Sequence, residues 1–367
     1  MSVPLSVLDL SPIPEGADAG TALRNTVDLA RHAEQWGYQR FWVAEHHFVD
    51  VAGSAPAVLI GQIAAATEHI RVGAAAVQLA HTTAVAVVET FGMLDAFFPG
   101  RIDLGVGRSG QRRREALQAA TPAPEPRPWR DVDGVVVPPP FDVSAMMRNP
   151  VLRVRMSQLQ QPEAVAPDFG VQVEEILAML RGDHRVDDVP IQPRPGTGAA
   201  LTPWVFGSSA GSSAQVAGAH GLPFVASYHI TPATALDAVD AYRAAFRPSA
   251  HLSEPYVVVS ADIVVADDSA TATHLASSYG HWVHAIRAGD GAVPYPDPDG
   301  VAPLTEDQRA VVADRLATQF VGDPDEVAHG LDRLQRATGA DELVVTSMTH
   351  RHCDRLRSHR LLAQRWR

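Results

Sequence analysis

Phe41-Trp42-Val43-Ala44-Glu45-His46-His47 joins an apolar, strand-like run to one carboxylate and two imidazoles. Aromatic and β-branched residues in so short a run read as a buried strand. Its polar end then lies where a β/α barrel keeps its chemistry, at the carboxyl ends of the strands. Imidazole moves protons near neutral pH, so a pair of them beside Glu45 marks a candidate site. A satisfied, half-buried histidine pair at a strand end is the structural alternative.

Outward from this stretch, short apolar runs alternate with helical patterns. Strands are expected at 5–10, 40–45, 71–79, 101–107, 204–208, 224–229, 256–266 and 342–348. Helices are expected at 21–36, 55–67, 84–98, 171–181, 213–220, 233–246, 270–288, 306–320 and 324–338, with a closing helix through 365. In the first helix Leu23, Val27, Ala30 and Ala33 recur at helical spacing and Gly37 is the stop. Eight strands with helices between them favour a single α/β domain, a (β/α)8 TIM-type barrel over 1–367, above a two-domain doubly wound sheet. Periodicity fails over 111–167, which holds ten prolines, and again over 289–303. The first break is an insertion after strand four; a lid and an unordered loop both fit its composition.

The 30 basic residues are all Arg, so mechanisms needing a lysine Schiff base or a phosphate-loop lysine are excluded. A formal charge of −12 argues against nucleic acid or an anionic membrane as the main partner. The basic exception, Arg112-Arg113-Arg114, reads as a solvated loop face. One cysteine, Cys353, rules out an internal disulfide. Residues 1–15 show no secretory pattern and no apolar run approaches the length of a membrane span, so a cytoplasmic protein is expected.

Gly105-Val106-Gly107-Arg108-Ser109-Gly110 matches a dinucleotide fingerprint, yet it sits in the fourth unit and runs into proline, where that fingerprint needs a helix. A second use fits better: glycines let a backbone approach a ligand, and Arg108 offers a planar fork to phosphate. Gly207-Ser208-Ser209-Ala210-Gly211-Ser212-Ser213 ends a strand just before a helix, a natural phosphate cradle, although serines also cap helices for structural reasons. His350-Arg351-His352-Cys353 fits no closed zinc spacing, and no protein-bound metal is expected. His81 and His229 follow strand candidates and could face the same cavity.

These residues resemble the bacterial luciferase-like flavin-dependent monooxygenases. The resemblance is densest in Leu8-Asp9-Leu10-Ser11-Pro12, Phe41 through Phe48, Ile70-Arg71-Val72-Gly73 and Pro99 through Gly105. It continues in Gly207-Ser208-Ser209, His220-Gly221-Leu222-Pro223 and Thr338 through Leu343. The resemblance implies FMN at the carboxyl end of the barrel, used reduced to bind O2 and form a flavin hydroperoxide. It gives His46 the catalytic proton-transfer role, with His47 and Glu45 in support. Ala75 and Ala76 match a small-residue bend under the flavin ring system, often a non-proline cis peptide. Arg108, Gly207, Ser208 and Ser209 match the phosphate contacts, and Tyr228 an aromatic wall.

Where relatives often carry L-P-N-H, this chain has Leu79-Ala80-His81-Thr82, so a family histidine is displaced or lost. The expected activity is hydroxylation or epoxidation of an apolar or aromatic small molecule, aromatic polyketides among them. With no nicotinamide site visible, reduced FMN would come from a separate reductase; a homodimer is the family expectation. The rivals are a deazaflavin-dependent dehydrogenase on the same barrel, a flavin-binding protein without catalysis, and, least of all, a metal hydrolase.

Overall fold

Strands that are apolar on both faces must be covered on both, and a parallel barrel inside a ring of helices does this. The computed structural model describes residues 2–108, 111, 127–147 and 149–366. Eight strands form the barrel: β1 Leu5–Asp9, β2 Arg40–Val43, β3 Arg71–Ala74, β4 Ile102–Gly107, β5 Pro203–Gly207, β6 Phe224–Ala226, β7 Val257–Val265 and β8 Glu342–Thr346. Each pairs in parallel with the next, β8 returns to β1, and β4 pairs with β5 to close the ring.

Alternation sorts the side chains. Leu8, Trp42, Trp204, Val258 and Val344 fill the barrel interior, while Val7, Phe41, Val43, Val72 and Val259 pack outward against the helices. Gly73 makes room for the indole: a Cβ there would lie 2.5 Å from Trp42. The main helices are α1 Ala19–Trp36, α2 Pro56–Ala66, α3 Ala84–Phe97, α4 Phe169–Arg181, α5 Ser212–Ala219, α6 Ala235–Ala245, α7 Ser269–Ala276, α8 Tyr279–Ala288, α9 Glu306–Thr318, α10 Pro324–Thr338 and α11 His352–Trp366. Their ends follow the chain's chemistry; Asp18 caps α1 by accepting from the Thr21 N–H, and Gly37 ends it at φ 82°. Among the described residues no helix is long and apolar enough to cross a membrane.

Three expectations need correction. The third strand does not run to 79: β3 stops at Ala74, the Ala75–Ala76 peptide is cis, and a short strand, Val77–Gln78, resumes beside β4. The helix expected over 270–288 is two helices, broken at Ser277-Ser278, with Ser278 fully buried. Phe320 does not end a helix; Phe320–Gly322 pairs with the end of β7.

Arg112-Arg113-Arg114, Ser109 and Gly110 lie outside the described residues. The described part of the first insertion is folded. Its hairpin, Arg130–Val132 with Val135–Val137, turns at Asp133-Gly134, both at positive φ, as a two-residue hairpin requires. It is tied to the rim at several points. Gln160 donates to the Ala80 carbonyl (2.6 Å), Asn149 to that of Gly289 (3.0 Å), and the Arg287 guanidinium lies 3.8 Å from the centre of the Phe141 ring.

Candidate active site

Beyond Val43 the inward alternation of β2 continues through Ala44 to His46, and the His46 N–H donates to the Gly53 carbonyl (2.8 Å). The imidazole is therefore carried into the barrel mouth by backbone bonding. Its Nδ1 is sealed from solvent without a partner, and among the described residues no hydrogen bond reaches Nε2. Burial is the main cause that lowers its pKa to about 4; neighbouring His47 lowers it further and Glu45 opposes. His46 is thus neutral at pH 7, able to accept one proton and donate another.

His47, one residue on, turns to the rim. Its Nε2 meets Glu45 Oε1 at 2.9 Å, while Glu45 Oε2 accepts from the Gln78 N–H (3.0 Å) and the Gln78 side chain donates to the Glu45 carbonyl (2.9 Å). The strand segment after the cis peptide thereby fixes the carboxylate that orients His47. The His81 ring stands edge-on to His47 at 6.1 Å, so the departure from the family tetrapeptide still leaves an imidazole at this rim.

Across the barrel β6 brings His229 to the same mouth. Its Nδ1 lies 2.5 Å from Ser260 Oγ on the inward face of β7. Burial first, then the Arg315 charge and His46, lower its pKa to about 3. Two residues beyond Ser260, Asp262 meets Arg315 from α9 at 3.2 Å, and the Tyr279 hydroxyl bonds to both. Burial raises the Asp262 carboxyl pKa and the Arg315 guanidinium opposes the shift. Sequence reading missed Ser260, Asp262, Tyr279 and Arg315. The signal was available in Val-Val-Val-Ser-Ala-Asp-Ile-Val-Val, where two polar residues two apart interrupt an apolar strand.

Arg108 directly follows β4. Val106 pairs with Val205, so the register brings Arg108 level with Gly207. The loop after Gly207 is fixed from behind, the Ser208 carbonyl accepting from the hydroxyls of Thr231 (3.2 Å) and Thr234. Helix α5 then opens at Ser212 with Gly211 at the cap position and no side-chain cap bond. Arg108 and Gly207 are therefore neighbours, and Ser208 and Ser209 lead from them to the N-terminus of α5. The strand ends beside this loop carry small residues, Ala44, Ala75, Ala76 and Gly107, and a Cβ at Gly107 would lie 3.3 Å from that of Ala76. A Cβ at Gly105 would lie 1.8 Å from the Ala74 carbonyl oxygen, so strand four needs glycine to approach the bend.

Tyr228 is placed elsewhere. Its ring belongs to the layer outside the barrel, tilted against Phe320, and its hydroxyl donates to the Val136 carbonyl at 2.7 Å. Tyr228 and His229 lie in the turn after β6 and part there, Tyr228 docking the insertion and His229 bonding Ser260. His350 and His352 also diverge, the first to the Glu15 carbonyl and the second to Asp28.

The chain matches the luciferase-like monooxygenase family over residues 3–133 and 173–342. It belongs to that family. A luciferase-like monooxygenase of Escherichia coli (strain K12) is 34% identical over 362 residues, 98% of this chain and 96% of that one. Among solved structures, apo-MsnO8 superposes with a TM-score of 0.78 at 31% identity, covering 100% of this chain and 98% of that one. The same fold recurs at 16% identity (TM-score 0.63) in the oxygenating constituent of 3,6-diketocamphane monooxygenase from Pseudomonas putida, in complex with FMN. That match covers 100% of this chain and 98% of that one. It recurs at 15% identity (TM-score 0.62) in an F420-dependent secondary alcohol dehydrogenase, covering 100% of each chain. This luciferase-like monooxygenase is an oxidoreductase, and its insertion occupies much of the interval between the two matched segments.

Proposed function

We propose that this luciferase-like monooxygenase uses reduced FMN, delivered by a separate reductase, and O2 to hydroxylate or epoxidise an apolar or aromatic small molecule. Aromatic polyketides are one class of that description. One observation carries the reading: His46 reaches into the mouth as a neutral imidazole with a sealed, unpartnered Nδ1, facing a small-residue wall that leads to an anion cradle. An orphaned buried nitrogen, a wall of alanine and glycine and an uncapped helix N-terminus suit a flat ring system bearing a phosphate. The FMN-bound oxygenating constituent of 3,6-diketocamphane monooxygenase has this fold. Bound there, reduced FMN supplies the electrons and the activation of oxygen.

The protein's own part is then positional and protolytic. Arg108 and the Ser208-Ser209 backbone would hold the phosphate. His46 holds or transfers a proton through Nε2, and Glu45 with His47 keeps the strand end in register. Leu10, Phe206 and Met348, at inward positions, give the enclosure an apolar lining that excludes water.

The deciding experiment mixes the protein with reduced FMN, O2 and a panel of aromatic substrates, and follows oxygen uptake against product and peroxide. Oxygen consumed in step with oxygenated product is the expected result. Peroxide alone across the panel refutes it, and hydride transfer without oxygen uptake moves the assignment to a deazaflavin dehydrogenase. His46→Ala should slow product formation by about 10²–10⁴ fold with an unchanged melting temperature; an unaffected rate would leave a flavin binder without catalysis.

A homodimer through α2 and α3 completes the reading. Both helices are apolar nearly all round, and Val58, Met93 and Phe97 are 70%, 53% and 73% exposed, as expected of helices covered by a partner.

A further inference from the structure

Strands β2 and β6 stand four places apart in a ring of eight, so the loops after them face each other across the mouth. The first carries His46 and the second His229. His229 is 8% exposed, a large polar ring in an apolar wall, and its only hydrogen bond among the described residues is from Nδ1 to Ser260. Nε2 is bonded to none of them and, unlike His46 Nδ1, is not sealed. The second nitrogen of this buried ring is therefore not fully enclosed by the protein.

Ser260 favours one tautomer. Its Oγ lies 3.3 Å from the Ala226 carbonyl, an acceptor that the hydroxyl can donate to. With the hydroxyl given to that carbonyl, the oxygen accepts from His229 Nδ1–H and Nε2 is left as a bare acceptor. The Arg315 charge, held in place by Asp262 and Tyr279, opposes protonation of the ring. Glu45 and His47 pair with each other on the far rim and do not compete for Nε2. What remains is a neutral acceptor in an apolar wall, which a ligand's O–H can satisfy and a C–H cannot.

We propose that His229, fixed by Ser260, is a second ligand-binding imidazole that accepts a hydrogen bond from a hydroxyl group of the substrate, opposite His46. The substrate class narrows accordingly to hydroxylated aromatic molecules. This inference rests on the mouth being the substrate site, as proposed above.

The test needs neither flavin nor oxygen, so its failure is separable from failure of the oxygen-uptake experiment. The flavin-free full chain is titrated by fluorescence with 2-naphthol and with 2-methylnaphthalene, near-isosteres that differ in the hydroxyl. The wild type should bind 2-naphthol about tenfold more tightly. His229→Phe should bring the ratio close to one while leaving the affinity for 2-methylnaphthalene unchanged, and Ser260→Ala should lower the ratio by freeing the tautomer. Nitrogen-15 NMR of the wild-type imidazoles supplies a readout that no unfolded variant can blur: His229 Nε2 should show the shift of an unprotonated nitrogen and move when 2-naphthol is added. Equal affinities, saturable binding of neither compound, a preference that survives His229→Phe, or a protonated Nε2 would each overturn the inference.

Discussion

Lowering the pH from 7 to 5 should destabilise this protein through imidazoles that fold neutral, and His359 gives the cleanest case. It lies on α11, is 1% exposed, and its Nδ1 has no partner among the described residues. Burial, then the Arg355 charge, lowers its pKa from 6.5 to about 3, and Asp9 opposes. A group whose folded pKa lies below its unfolded value binds fewer protons when folded. Its contribution is complete above pH 6.5 and is lost as pH falls toward the folded value. At pH 5 the unfolded imidazole is almost fully protonated and the folded one is not, a cost of about 2 kcal/mol, against roughly 0.2 kcal/mol at pH 7. His229 should add a similar loss. Asp262 and Glu342 act in the opposite sense, because burial raises both carboxyl pKa values, so the total slope is a difference. A comparison of variants isolates one residue: between pH 7 and pH 5, His359→Gln should lose about 2 kcal/mol less than the wild type. Urea denaturation followed by tryptophan fluorescence, at fixed protein concentration, measures both losses. Equal losses in the two proteins would show that His359 does not fold as a neutral ring.

Other perturbations test the scaffold. Gly105→Ala drives a Cβ against the Ala74 carbonyl, a backbone atom that cannot step aside, and should cost roughly 1–3 kcal/mol; a melting temperature equal to the wild type's would refute the close approach. Arg315→Leu leaves Asp262 buried without its counter-charge and should cost about 3–5 kcal/mol, with a smaller loss when Asp262→Asn is added. If the double variant is no more stable than the single one, the two are not coupled. Phe97→Asp with Met93→Asp places charges on the exposed face of α3 and should halve the mass seen by light scattering; a wild type that is already monomeric would rule out the dimer.

The barrel was legible because each of its strands is a short apolar run flanked by helical spacing, and all eight barrel strands fall within or overlap the expected runs. The strand end at Glu45-His46-His47 was legible for a different reason. Polar residues that abruptly end a buried run have few structural uses. What stayed hidden was set by contacts distant in sequence. The division of residues 71–79 depends on how the Ala75–Ala76 bend meets Gly105 and Gly107 of the neighbouring strand. Tyr228 and His229 are adjacent and both suit an active site; the turn that follows β6 separates a ring that docks the insertion from one that bonds Ser260. The hairpin at Val132-Asp133-Gly134-Val135 did carry its signal, an Asp-Gly between β-branched residues, but the surrounding prolines masked it.

The two ends of the barrel interior show why the chemistry belongs to one of them. At the amino end Arg40 pairs with Asp103 (3.2 Å) and Glu342, Arg71 pairs with Asp103 (2.5 Å), and Ser6 and Tyr256 donate to Glu342. The Arg40 guanidinium lies 4.6 Å from the centre of the Trp204 ring, so the ions are also covered from above. Every charge there is met by another, and a ligand would have to break pairs that already compensate their own desolvation. Above the Trp42 and Trp204 layer the balance changes. Asp262 and Arg315 answer each other, whereas both ring nitrogens of His46 and one of His229 are bonded to no described residue. A buried polar atom left unpaired costs free energy that a bound molecule can recover, and a neutral ring can be met by a neutral partner. The closed end holds the barrel together, and the open end is the one built to receive something.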